Sequence, residues 1–112
     1  MQSTFRKSLI AITAFGIALS GSSVFAADTA AGMATYGSKC KTCHAADGNG
    51  NPGMAKALKV EFKPLSGADV QGMSDADLKA IVTNGKGKMH AVAGVTGADL
   101  DNVVAYVRSM KK

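Results

Sequence analysis

Cys40-Lys41-Thr42-Cys43-His44 decides how this chain is read. These five residues set two thiols three positions apart and follow the second at once with an imidazole. Upstream, Asp28 is a good N-cap, and Ala31, Met33, Tyr36, Gly37 and Cys40 recur at helical spacing. That pattern predicts a helix opening near Asp28 and stopping around Cys43 to Ala46. Downstream, Asp47-Gly48-Asn49-Gly50-Asn51-Pro52-Gly53 is dense in residues that favour turns and positive φ, and reads as a loop. A short helical turn is expected around Met54 to Leu58.

Two further helices follow. Ser74, with Asp77 three residues on, resembles a capping box with the shorter acid. Leu78, Ile81 and Val82 then share one face, and Asn84-Gly85 ends the helix. The third helix opens at Thr96 and presents Leu100, Val103, Val104, Val107 and Met110 as one stripe. Arg108, Lys111 and Lys112 lie at its C-terminal end, where positive charge complements the helix dipole. Met33 and Met110 are expected on the packing faces of the terminal helices. No alternating run of β-branched residues is long enough for a strand, so the expected fold class is all-α, three main helices with long loops.

Residues 1–26 have the order of an export signal: Arg6 and Lys7, an uncharged apolar run from Leu9 to Leu19, then small residues ending in Val24-Phe25-Ala26. As a helix, that apolar run would cover about 16 Å, short of a hydrocarbon core roughly 30 Å thick. Cleavage after Ala26 is expected, leaving residues 27–112 as one domain outside the cytoplasm, in the periplasm, with no stable membrane insertion. An uncleaved anchor is the alternative. The 86 remaining residues carry 21 large apolar side chains against fifteen Ala and eleven Gly, with no Trp. So thin a core usually requires a staple such as a disulfide or a metal. The length excludes a multidomain enzyme with a large substrate cleft, and two Cys allow only one bridge. The same 86 residues hold 11 basic and 8 acidic side chains. That mild excess lacks the dense basic stripe with interleaved aromatics of a nucleic-acid binder, so no nucleic-acid partner is expected.

Two thiols at this spacing can add across the two vinyl groups of a haem while the adjoining imidazole ligates the iron. Three other readings of the same residues were weighed. A thiol-disulfide oxidoreductase would use Cys40 and Cys43 at a helix N-terminus after a strand, and no βαβ pattern surrounds them. A structural zinc site would need Cys40, Cys43, His44 and His90 together. A plain disulfide would join Cys40 to Cys43.

The chain resembles the class I c-type cytochromes in the Cys40–His44 pentad, in Gly32 and Tyr36 before it, and in the Gly/Pro loop after it. Further on, Gly85-Lys86-Gly87-Lys88-Met89 and an aromatic-bearing C-terminal helix extend the resemblance over essentially all of residues 27–112. It implies a cytochrome c-like fold wrapped around one covalent haem c. Cys40 and Cys43 would be the thioether attachment points and His44 the proximal axial ligand. Met89, 45 residues after His44, occupies the distal-ligand position. In that family a Pro commonly follows the Met. Here His90 follows, which leaves His/His coordination as the alternative.

By the same analogy the Pro52 carbonyl would accept the other ring N–H of His44, its alternative role being that of a turn proline. Tyr36, Tyr106 and Gly32 would mark the crossing of the first and last helices. Leu58, Phe62 and Leu65 would wall the pocket. With both axial positions filled, the implied function is that of a soluble carrier of single electrons and not an enzyme. A haem-based sensor or peroxidase-like protein is the alternative if the sixth ligand is labile. Lys39, Lys41, Lys56, Lys59, Lys63, Lys86 and Lys88 would surround the haem edge and steer redox partner proteins with an acidic docking patch, unless they are solubilising scatter.

Overall fold

The computed structural model describes Gly16 and residues 26–112. The leader expected over residues 1–26 lies, apart from Gly16 and Ala26, outside the described residues. Among the described residues six helices run in order: α1 (Thr29–Lys39), α2 (Lys41–His44), α3 (Pro52–Leu58), α4 (Ala68–Gln71), α5 (Asp75–Asn84) and α6 (Gly97–Ser109). Among the described residues there is no strand, only one isolated antiparallel bridge between Lys86 and Met89. No described helix is long and apolar enough to cross a membrane. The all-α expectation holds, with α1, α5 and α6 as the three main helices.

Local chemistry explains most of the boundaries. The Asp28 side chain accepts from Ala31 N at 3.1 Å, and Ser74 Oγ accepts from Asp77 N at 3.1 Å, so both caps form. Thr96 stands at the N-cap of α6 but its side chain makes no capping bond. Two boundaries differ from expectation. The first helix breaks at Cys40, whose φ of −119° leaves helical geometry, and a separate turn of helix carries Lys41 to His44. Gly37 and Ser38, both weak helix formers, lie just before the break. The second is Pro52, which opens α3 and does not sit in the preceding loop. Asn51 Oδ1 caps that helix by accepting from Gly53 N at 2.8 Å and Met54 N at 3.3 Å. Pro at the first helical position lacks only an N–H that would have no partner there.

The core forms where α1 crosses α6. Gly32 is buried at the crossing, and a Cβ on it would fall 2.0 Å from the Asn102 carbonyl oxygen. Tyr36 and Tyr106 pack beside it with ring centroids 5.2 Å apart, tilted by 59°. Asn102 Oδ1 also accepts from Asp28 N at 2.8 Å, tying the start of α1 to the middle of α6. Among the described residues the buried apolar side chains are Tyr36, Leu78, Val95, Val103 and Val104. Met110 packs against this cluster as expected. Met33 does not: it is 56% exposed, because α1 turns that side away from α6.

Outside the crossing, polar contacts hold the parts together. Lys79 and Asp101 pair α5 to α6 at 2.5 Å, and the Val92 amide donates to the Val82 carbonyl at 2.8 Å. Leu65 N donates to Gly48 O at 3.0 Å and closes one loop on another. A Gly32→Ala substitution forces a backbone-to-methyl overlap that no rotamer relieves. It is expected to destabilise the protein by about 3 kcal/mol or more, read as a fall in the thermal unfolding midpoint. An unchanged midpoint would contradict so close a crossing.

Candidate functional site

A cavity of about 1060 Å³ lies beside the α1–α6 crossing, and every one of the six helices contributes to its wall. Cys40, Cys43 and His44 line one side. Leu58, Phe62 and Leu65 line it as the sequence predicts, and Met89 and His90 both reach it from the hairpin after α5. The wall is predominantly apolar, completed by Met54, Val70, Met73, Ile81, Val82 and Val107. The structure therefore brings Cys40, Cys43, His44, Met89 and His90 to one space.

The break at Cys40 shapes the pentad. The Cys40 carbonyl accepts from both Cys43 N at 3.2 Å and His44 N at 2.9 Å, coiling the five residues into a tight turn. Both cysteines are half-buried free thiols. Burial, and then the neighbouring Cys43, pushes the Cys40 thiol up from its ordinary value. A thiol-disulfide oxidoreductase needs the opposite shift. Among the described residues no three His, Cys, Asp or Glu side chains cluster as a metal site.

His44 is the most constrained member. Burial holds its imidazole below the ordinary histidine range. The Phe62 ring meets it edge-on at 5.6 Å. Its Nδ1 is buried with no hydrogen-bond partner. The bond expected to the Pro52 carbonyl is thus not made: as the first residue of α3, Pro52 has its carbonyl aligned with that helix axis. The loop after the pentad instead folds back on its own backbone, with Gly50 N donating to His44 O and Asn51 N to Cys43 O, each at 2.8 Å. Gly50, at φ +94°, is where this becomes possible, since a Cβ there would meet Phe62 at 2.4 Å.

Ala45, directly after His44, was not foreseen as a special position. Its φ of 63° and ψ of 168° fall in a region nearly restricted to glycine. The Tyr36 hydroxyl donates to the Ala45 carbonyl and holds it there. Burial, and then Cys40, pushes the Tyr36 phenol up to about 12. On the far side of the cavity, Lys86 and Met89 exchange backbone hydrogen bonds of 2.9 and 3.0 Å, closing a tight turn through Gly87 at φ 57°. Met89 is half-buried and His90 is exposed. Of the seven lysines expected around the edge, Lys39, Lys63, Lys86 and Lys88 line the cavity, whereas Lys41, Lys56 and Lys59 do not. Lys63 is paired with Asp69 at 2.9 Å.

Fold and site together define a class: a small helical chain that offers a Cys-x-x-Cys-His turn to an apolar space built by all its helices. Known proteins of the same kind match it. Residues 27–107 fit the family described as "Cytochrome C oxidase, cbb3-type, subunit III". Over 91 residues the chain is 37% identical to cytochrome c6 of a Picosynechococcus species, covering 78% of this chain and 77% of that one. It is 38% identical over 94 residues to cytochrome c-555 of Chlorobaculum tepidum, covering 79% and 82% respectively. The solved structure of the KustC0563 c-type cytochrome superposes with a TM-score of 0.59 at 27% identity, over 72% of this chain and 98% of the other. The chain belongs to the small monohaem c-type cytochromes, proteins of electron transfer that carry one covalently attached haem c.

The Tyr36 hydroxyl is a donor that ring packing alone does not require. Tyr36→Phe keeps the contact with Tyr106 but leaves the Ala45 carbonyl only the longer bond from Gly48 N at 3.3 Å, and is expected to cost about 0.5–1.5 kcal/mol. Thermal unfolding of the holoprotein checks this, and a midpoint equal to that of the wild type would remove the hydroxyl from the account.

Proposed function

We propose that residues 27–112 form a soluble, exported carrier of single electrons, in which Cys40 and Cys43 hold the haem through thioethers and His44 and Met89 are its axial ligands. Residues 1–26 are then the leader and the periplasm its destination. The observation carrying this reading is the convergence of the two thiols and a half-buried imidazole on a single, predominantly apolar cavity. Those residues fit the group. Bound there, the haem supplies a one-electron couple between ferric and ferrous iron.

The chain's own residues set the conditions for that couple. The pentad turn holds the thiols and the imidazole on one side, so attachment and ligation use the same short segment. Phe62 against His44 restricts the ring's rotation. Leu58, Leu65, Val82 and Val107 exclude water, which favours the form of lower charge. Met89 is favoured over His90 because it is the half-buried member of the pair and its backbone is pinned to Lys86. A thioether is the weaker donor, so His/Met ligation raises the potential relative to two imidazoles. With both axial donors supplied by the chain there is no open position for a substrate, which argues against an enzyme and against a sensor. Lys39, Lys86 and Lys88 at the cavity rim would draw a redox partner carrying an acidic patch.

The reduced visible spectrum, followed by denaturation and solvent extraction, tests the cofactor and its attachment. Haem is expected to remain with the polypeptide in the wild type and to be extracted from Cys40→Ala/Cys43→Ala, whose haem-free form should lose most of its helical circular dichroism. A colourless wild type with two titratable thiols would sink the reading.

The distal assignment has its own check. The ferric protein should show the near-infrared thioether-to-iron band, and Met89→Ala should abolish it. Absence of the band in wild type, with the spin state changing instead in His90→Ala, would assign His90.

A further inference from the structure

One segment of the cavity wall is held in a way that the haem chemistry does not explain. Residues 65–75 carry Leu65, Val70 and Met73 into the cavity, yet before α5 opens at Asp75 the helix among them is α4, four residues long and without a side-chain cap. A single helical turn of that length has no stability of its own in water. What fixes it is a set of polar bonds from α6. Arg108 Nη1 donates to the Gln71 carbonyl at 2.8 Å, Nη2 to the Met73 carbonyl, and Nε to Asp75 Oδ1 at 2.9 Å. In return, Gln71 Nε2 donates to Leu65 O at 2.8 Å and to Val107 O at 2.9 Å.

The choice of groups is specific. The guanidinium is a planar fork of fixed donors, and here it serves two main-chain carbonyls and a carboxylate at once. A lysine ammonium on a flexible stem does not reproduce that pattern. The Arg108 side chain is 28% exposed, so its bonds are partly shielded from water. Its helix, α6, is in turn the one locked against α1 at Gly32. Besides the Leu65–Gly48 backbone bond and the exposed Lys63–Asp69 pair, the wall is therefore referenced to the α1–α6 crossing through one arginine and one glutamine.

We propose that Arg108 and Gln71 are positioning residues that latch the 65–75 wall over the cavity and so keep water and small exogenous ligands from the iron. This rests on the reading that the cavity holds the haem, and it adds what keeps that haem closed off. The latch acts without touching the haem or its ligands. Loss of it should leave attachment and axial ligation intact while letting small anions in.

The experiment uses ferric holoprotein with cyanide as probe, comparing wild type, Arg108→Lys and Gln71→Met. Cyanide would enter in exchange for the Met89 thioether, the weaker axial donor; each variant is expected to make that exchange at least tenfold faster than wild type, with a lower reduction potential and an unchanged near-infrared band in the absence of cyanide. Amide hydrogen exchange should rise within residues 65–75 and stay as in wild type along α1. Arg108→Lys keeps the charge and most of the packing, so it remains informative if Gln71→Met fails to accumulate. Cyanide rates and potentials equal to wild type, with only a lower unfolding midpoint, would overturn the latch and reduce both residues to structural ties. Failure of the underlying reading shows separately, as a wild type without covalent haem.

Discussion

Where α1 and α6 cross, the Asn102 carbonyl lies where a Cβ on residue 32 would be, so the two backbones meet with no side chain between them. Everything else in the fold is positioned from that contact. Tyr36, one turn after Gly32, packs on Tyr106 and reaches Ala45, and Ala45 terminates the turn that carries the two thiols and His44. On the other helix, Val103, Val104 and Val107 face the cavity while Arg108 holds its far wall. A glycine in one helix and an asparagine in the other thus determine where the pentad stands relative to its surroundings.

Among the described residues, five buried apolar side chains stand around a space of about 1060 Å³ with a mostly apolar wall, an inverted distribution of mass. Small domains are stable by only roughly 5–15 kcal/mol, and apolar walls left facing water withhold burial on which that margin draws. Such a fold is sustained by what occupies the space. The thin core and the haem are one fact seen from two sides, and stability and electron transfer share a single component. The polar ties among the loops make sense in the same terms. With little apolar material to press the segments together, backbone bonds such as Leu65 to Gly48 and the Arg108 fork define where the wall runs.

How much of this was legible from sequence follows from the range of the forces involved. The caps at Asp28 and Ser74, the turn at Gly85 and the stripe on α6 are set by residues within a few positions of one another, and all were readable. So was the convergence of Cys40, Cys43, His44, Phe62 and Met89, because the order of motifs carries it. The break at Cys40 and the glycine-like backbone of Ala45 were not: a single φ departure interrupts the first, and the hydroxyl of Tyr36, nine residues earlier, holds the second, neither of which leaves a mark in the periodicity. α4 escaped notice because four residues have no periodicity to detect. Met33 shares the helical spacing of its neighbours, and only the direction in which α6 lies shows that it faces water. The Pro52 carbonyl was placed by analogy, and a proline serves equally well to begin a helix, which is what it does here.

The hairpin after α5 shows how backbone geometry narrows a choice that composition leaves open. Met89 and His90 are neighbours, both offer a donor atom, and both border the cavity. Successive side chains on an extended backbone point to opposite sides, so the two cannot present themselves equally to one centre. The paired bonds between Lys86 and Met89 fix the register of the turn. Gly85 confines it further, since a Cβ there would come within 2.7 Å of the Met89 carbonyl, and the φ of 78° is one that a side chain rarely adopts. Gly85 and Gly87 thus supply the tight path on which residue 89 is half-buried and residue 90 exposed. The same register that favours Met89 leaves His90 at the rim with Lys86 and Lys88, among the groups that an approaching redox partner would meet.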